Sequence, residues 1–217
     1  MSVPNVVIRH LGTTDYETTW RAMQAFSTSR EADTLDELWL TEHAAVYTLG
    51  LNRKNVRLPA ISHDDIPMVL TDRGGKITYH GLGQIIIYFL LDLKRRQLNI
   101  RQLVTLIETS IIDLLATNHI EAIARKDAPG VYVAGQKIAS LGLRLKNNVC
   151  YHGLSLNVKM DLTPFLAIDP CGYEGLQMTQ TSQLGMQQTP QQVGATLITN
   201  LAAKLNVWKL INERNCK

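Results

Sequence analysis

The sequence predicts an α+β fold, a mixed and mostly antiparallel sheet with helices packed on it. Strand-like runs outnumber helical ones, two strand pairs are joined by short Gly or Asn turns, and one seven-residue run is apolar at every position. Short turns of that kind join antiparallel neighbours, because parallel strands need a longer crossover. From residue 15 to about 29, Tyr16, Trp20, Met23 and Phe26 recur at helical spacing, with Thr14 or Asp15 as the cap. Residues 38–41 and 45–49 read as short strands, with Glu42 and His43 at a bend or strand end between them. A polar loop follows, punctuated by Pro59 and Pro67. Residues 68–71 form the next strand, and a glycine-rich segment leads into the apolar run 85–91. A run apolar on both faces belongs at the centre of a sheet covered from both sides. Ile100, Leu103, Val104, Ile107, Ile111, Leu114 and Leu115 mark an amphipathic helix. Residues 120–124, 130–133, 137–145 and 149–158 are strand-like, with Gly135-Gln136 and Asn147-Asn148 as hairpin turns. Thr189-Pro190 opens a last helix to about residue 205, its proline suited to the first turn. One domain over residues 1–217 is the expectation.

Composition narrows the partners. The chain is 45% hydrophobic and 19% charged, the balance of an ordinary globular protein, and its net charge of +3 does not argue for nucleic acid. Its longest purely apolar run is too short to cross a bilayer, and its first residues lack the basic start and apolar core of a signal peptide. Three cysteines without metal-ligand spacing fit a reducing compartment. The expectation is a cytoplasmic monomer with no membrane or nucleic-acid partner. Arg53, Lys54 and Arg57, like Lys94, Arg95 and Arg96, read either as solvated charges or as a docking patch for an acidic protein.

Chemistry concentrates in the segment Arg73-Gly74-Gly75-Lys76-Ile77-Thr78-Tyr79-His80-Gly81-Leu82-Gly83-Gln84. Clustered glycines mark close approach of a ligand or another backbone, and a histidine among them is within reach of that ligand. Tyr79-His80-Gly81-Leu82 recurs as Tyr151-His152-Gly153-Leu154, either by coincidence or as two histidines delivered to one cleft. Cys171 stands in a loop between Pro170 and Gly172, which presents the thiol rather than packing it. Cys150, in a strand pattern, and Cys216, near the end, read as inert. By simple alternation Lys137 shares a face with Ala139, Leu141 and Leu143. Covered, its amine becomes a usable base; from spacing alone, the favoured reading is a strand-end charge reaching solvent. His80, His152 and Cys171 are ligand types for zinc but lack a close pair, so no metal is expected. His10, His43, His63 and His119 read as surface or satisfied core histidines. A thiol, a lysine and two histidines beside a glycine-rich surface suggest acyl transfer through a thioester, which needs no nucleotide.

These residues resemble the octanoyl-[acyl-carrier-protein]:protein octanoyltransferases of lipoate biosynthesis. The resemblance rests on Arg73-Gly74-Gly75 with Thr78-Tyr79-His80-Gly81 and Gly83-Gln84. It continues through Gly130-Val131-Tyr132-Val133, Gly135, Lys137-Ile138-Ala139 and Gly142, and then His152-Gly153, Leu156-Asn157-Val158, Asp161-Leu162, Phe165 and Pro170-Cys171-Gly172. It implies the fold of the biotin and lipoate protein ligase catalytic domains, a Cys171 nucleophile and a Lys137 general acid/base. It implies an acyl pocket lined by Arg73, Gly74, Gly75, Lys76, Ile77, Thr78, Tyr79 and His80, by Ser140, Leu141 and Gly142, and by His152, Gly153 and Leu154. The implied partners are octanoyl-acyl carrier protein as donor, and as acceptors the lipoyl domains of 2-oxoacid dehydrogenases and the glycine cleavage H protein. No cofactor is implied. The alternatives are an ATP-dependent lipoate- or biotin-type ligase, a carrier-to-carrier octanoyl amidotransferase, and a catalytically silent acyl-binding module. Leu82 replaces the family's usual proline, which bears on pocket shape and chain-length preference.

Overall fold

The computed structural model describes residues 5–59, 66–205 and 210–214, with the side chains of Cys171 and of residues 210–214 outside that description. His63 and Cys216 also lie outside the described residues. In chain order the elements are β1 (Val6–Thr14), α1 (Tyr16–Thr28), β2 (Asp36–His43), β3 (Val46–Leu49), β4 (Met68–Leu70), β5 (Ile77–His80) and β6 (Gln84–Asp92). After these come α2 (Ile100–Ala116), β7 (Ile123–Ala124), β8 (Gly130–Val133), β9 (Gln136–Leu141), β10 (Arg144–Lys146), β11 (Val149–Tyr151) and β12 (Gly153–Asn157). Three short 3-10 turns, α3 (Pro190–Lys204) and β13 (Leu210–Arg214) complete the order.

The main sheet runs β13-β1-β2-β6-β12-β9-β8-β7, and β3 stands between β4 and β5 in a second, small sheet. β6 is central because both its faces are apolar. Ile85, Ile87, Phe89 and Leu91 join the core under α2 and α3, while Ile86, Tyr88 and Leu90 pack with Met23 and Trp39 on the α1 side. Each such fully buried aliphatic side chain contributes about 1.5–3 kcal/mol. Most neighbours pair antiparallel, as expected, but β1 pairs parallel with β2 and with β13. The β1–β2 pair needs a crossover, and α1 supplies it. Strand β1 escapes the sequence reading because its polar second half, Arg9 to Thr14, carries no clear alternation. The helix ends are those the residues predict. Asp15 Oδ1 accepts Thr18 N–H at 2.8 Å, and Thr189 with Gln192 forms a capping box around Pro190.

Several expected boundaries move. The run 120–124 shortens to exposed β7, and the β8–β9 turn is Ala134-Gly135, both left-handed, so Gln136 already pairs with Val133. Asn147-Asn148 is left-handed as such a turn requires. The run 137–145 breaks at Gly142-Leu143, where Leu143 O accepts Gly74 N–H at 3.2 Å. The run 149–158 breaks at His152, whose φ is 61°. The basic groups also change meaning. Arg95 and Arg96 clasp the fully buried Asp36 with Arg30, and Arg57 pins Asp169 Oδ1 at 3.0 Å and the carbonyls of Leu166 and Ile168. Arg95 and Arg96 are thus structural ties, whereas Arg57, although paired, is exposed, as are Arg53, Lys54 and Lys94. Among the described residues no helix is long and apolar enough to cross a membrane.

Candidate active site

A cleft of ≈ 520 Å³, counting its open mouth, lies between the main sheet and the Arg73–His80 segment. Its floor is laid by register. Ser155 stands between Ser140 on β9 and Ile86 on β6, and Gly153 faces Tyr88. Small residues keep that floor low. At Gly153 a Cβ would fall 1.8 Å from Ile87 O, so the close approach of β12 to β6 excludes any other residue without a backbone shift. Of the residues the sequence assigns to an acyl pocket, all but Gly74 and Tyr79 line this cleft. Tyr79 turns to the other face of the small sheet, with ring centroids 5.5 Å from Tyr47 and 5.5 Å from Phe165. Gly74 sits outside the lining, its N–H on Leu143. The sequence reading missed Tyr16, Ile86, Tyr88 and Ser155, which also line the cleft. Alternation along β6 and β12 carries the signal for the last three; for Tyr16, on a separate helix, there is none.

Arg73 shapes the cleft as a clamp. Its guanidinium donates to Thr48 Oγ1 at 2.9 Å, Thr48 O at 2.6 Å, Gly74 O at 2.9 Å and Lys76 O at 2.7 Å. His80 is buried beside it. Gln84 gives its amide N–H to Asn157 Oδ1, so its Oε1 accepts His80 Nδ1–H at 2.7 Å. Burial first, then the neighbouring His43, Arg73 and His152, push the His80 pKa down to about 3, against the Gln84 hydrogen bond. His43 is a satisfied core histidine, held neutral by burial between Thr14 O at 2.8 Å and the Tyr88 hydroxyl at 2.7 Å. His152 also lines the cleft, and its Nε2 meets Asp72 Oδ1 at 2.8 Å. Burial lowers its pKa too, in opposition to the Asp72 hydrogen bond. Burial alone would raise the Asp72 pKa, but hydrogen bonds from His152, Tyr151 and Trp20 hold the carboxyl well below the usual range. Neutral imidazoles and tyrosine rings thus wall one part of the cleft, and the cations Arg73 and Lys76 another. The two histidines of the repeated tetrapeptide do reach one cleft, although Tyr79 and Tyr151 part company.

Lys137 is fully buried, not a strand-end charge in solvent. Its orientation comes from a bulge. Gly130 pairs with Ser140 and Val131 with Ala139, but Tyr132 pairs with Lys137, so β9 carries one extra residue at Ile138. That residue shifts the alternation, placing Lys137 on the face of Ser140 and not on that of Ala139. The Nζ lies 5.3 Å over the Tyr132 ring and donates to Pro129 O at 2.9 Å. Gly130, at φ 142°, makes room: a Cβ there would lie 2.6 Å from Lys137 Cε. Cys171 lies in the 3-10 turn Pro170–Gly172, which packs on β5, with Gly172 against the Lys76 side chain. The chain around it is tied to the surroundings of Lys137. Tyr173 OH donates to Asp127 O at 3.0 Å, and Lys137 N and O bond Gln177 O and Thr179 N at 2.9 and 3.0 Å. Cys150, by contrast, is buried in β11, where burial pushes its thiol up to about 12.

With this geometry in place, comparison with known proteins is decisive. Residues 15–202 match the lipoyl protein ligase A/B catalytic domain. The chain belongs to that family. It is 54% identical over 203 residues to an octanoyltransferase of Chromobacterium violaceum, covering 94% of this chain and 97% of that one. It is therefore an acyltransferase. Among solved structures, the bipartite lipoate protein ligase of Thermoplasma acidophilum superposes with a TM-score of 0.74 at 14% identity, covering 99% of this chain and 88% of that one. The biotin protein ligase of Aquifex aeolicus superposes with a TM-score of 0.54 at 12% identity, covering 93% and 69%. At those identities the likeness is one of fold, and it is the fold the sequence predicts.

Proposed function

We propose that this acyltransferase moves an octanoyl (or lipoyl) group from acyl carrier protein to a lysine of a lipoyl domain through a thioester on Cys171. The observation that carries the reading is a cleft built on β9, the strand of the buried Lys137, whose backbone is hydrogen-bonded to Gln177 and Thr179 in the segment that follows the Cys171 turn. Family membership and the octanoyltransferase relative support it. Lys137 takes the thiol proton, the Cys171 thiolate attacks the carrier thioester, and the new C–S bond forms as the old one breaks. Lys137 then protonates the departing carrier thiolate. In the second half the acceptor amine attacks, the C–N bond forms, Cys171 leaves as thiolate, and the amine proton returns to it through Lys137. Exchange of one thioester for another is close to isoenergetic, so the first half needs no nucleotide. Burying six methylenes of the chain supplies about 5 kcal/mol of binding. The acceptors that fit are lipoyl domains of 2-oxoacid dehydrogenases and the glycine cleavage H protein, in the cytoplasm.

The test is intact mass after incubation with octanoyl-acyl carrier protein in the absence of ATP. An octanoyl adduct is expected, lost in Cys171→Ser and kept in Cys150→Ser, with Lys137→Ala folded but orders of magnitude slower. No adduct, with activity only on adding ATP and free acid, would make the protein a ligase.

A further inference from the structure

We propose that Asp72, His152 and Tyr151 form a stop that sets the length of acyl chain the cleft accepts; this rests on the acyl-transfer reading above. The cleft has a direction. Lys137 belongs to the β8–β9 pair, and the sheet then runs β9, β12, β6, so the end remote from the lysine lies over Ile86 and Tyr88. From β9 to β6 is two inter-strand spacings, about 9–10 Å. An extended eight-carbon chain covers a comparable distance.

His152 lines the cleft, and its ring is a movable kind of wall. The left-handed turn at His152 breaks strand alternation and brings two consecutive rings together, Tyr151 and His152 stacking at 5.1 Å. Both then point at one carboxylate. His152 Nε2–H donates to Asp72 Oδ1 and the Tyr151 hydroxyl to Asp72 Oδ2. His152 Nδ1 has no hydrogen-bond partner among the described residues, so the Asp72 bond alone orients the imidazole by hydrogen bonding.

Behind the wall is a second, polar cavity of ≈ 860 Å³, again counting its mouth, lined by Asp72, Tyr151, Gln24, Ser27 and Lys146 among others. Arg73 and His152 face the cleft; their chain neighbours Asp72 and Tyr151 face the cavity. The partition is made of touching side chains, His152 on the cleft side and Asp72 with Tyr151 on the other. A chain of eight carbons ends against a neutral ring. A longer one has to push His152 off Asp72, stripping an ionised carboxylate of a donor, and then place its methylenes among amide, hydroxyl and ammonium groups. Both steps are unfavourable.

The experiment offers the full chain an equimolar mixture of hexanoyl- to tetradecanoyl-acyl carrier proteins and reads the adduct composition by intact mass. The wild type is expected to carry mainly octanoyl. His152→Ala and Asp72→Ala are each expected to raise the dodecanoyl-to-octanoyl ratio by about tenfold or more, since one ill-fitting methylene is worth roughly 10–200-fold. Tyr151→Phe, which keeps the stack and loses one bond to Asp72, is expected to fall between. The ratio is internal to each sample, so partial loss of folded protein does not move it. An octanoylated wild type whose three variants keep its composition would overturn the stop and leave acyl transfer standing. A wild type with no adduct at all would overturn the transfer reading, and the stop with it.

Discussion

Two carboxylates in this protein gather hydrogen-bond donors, and they do so with opposite chemistry. Asp36, fully buried in β2, takes the guanidinium groups of Arg30, Arg95 and Arg96 and the backbone N–H of Asp92. Asp72 takes four uncharged partners, Trp20 Nε1 at 2.7 Å, Gln24 Nε2 at 3.3 Å, the Tyr151 hydroxyl and His152 Nε2. Cations neutralise Asp36 and lock the α1–β2 connection, β2 and the β6–α2 connection together, away from both cavities. Neutral donors leave Asp72 its charge, and that charge orients an imidazole on the cleft. One side chain is a strut, the other a setting.

The largest effect that sharpens this contrast is at Asp36. Asp36→Ala leaves three arginines without their shared carboxylate and is expected to cost about 3–5 kcal/mol in urea denaturation. The adduct composition should stay that of the wild type. A cost below about 1 kcal/mol would break the contrast, because the cluster would then act like an exposed ion pair.

Acid titration separates the two regions next. The folded pKa of His80 lies near 3, below the ordinary histidine value of about 6.5. Between those values the unfolded chain binds a proton that the folded one refuses. Stability from His80 is therefore complete above about pH 6.5 and lost as pH falls toward 3, by at most about 1.4 kcal/mol per pH unit. His43 and His152, also lowered, act in the same direction from the same upper limit. Asp72, held low, adds stability that is present above about pH 4 and lost only in stronger acid. Urea midpoints measured from pH 7 to 4 should fall for the wild type and fall less for His80→Gln. Equal slopes would mean that His80 binds its proton as readily in the folded state as in the unfolded one.

The smallest effect is expected at Leu82. The sequence reading tied this departure from the family's proline to pocket shape, but Leu82 is 59% exposed and lies outside the cleft lining. Leu82→Pro should change stability by less than about 0.5 kcal/mol and leave the adduct composition unchanged. A shift toward longer chains would move the length-setting element from the Asp72 wall to the Gly81–Gly83 turn.

Much of the architecture was legible because local chemistry and tertiary role agree. The doubly apolar run became central β6, Asp15 and Thr189 cap their helices, and Asn147-Asn148 turns a hairpin. Most of the cleft was legible through the family resemblance, since Ser140 to Gly142 and His152 to Leu154 carry little chemistry by themselves. What stayed hidden depends on contacts distant in sequence. Asp72, next to the glycine block, reads as an ordinary loop acid until Trp20 and Tyr151 converge on it. Strand β1 is held by parallel pairing across a helix, which leaves no turn signal. Lys137 was put on the wrong face because period-2 alternation assumes that no residue is inserted.

That inserted residue has a consequence for how such a protein can change. The side of the sheet that Lys137 takes depends on the bulge that absorbs Ile138, and its seat there on Gly130, which leaves room for the lysine side chain. A one-codon deletion at Ile138 would remove the bulge and restore plain alternation, with Lys137 two places from Ser140, and so leave the lysine on the face it already has. The strand therefore has a reading frame of its own. Closing the bulge with Ile138 still present would turn Lys137 toward the helix-covered core, so a length-preserving substitution that disfavours the bulge is what shifts that frame.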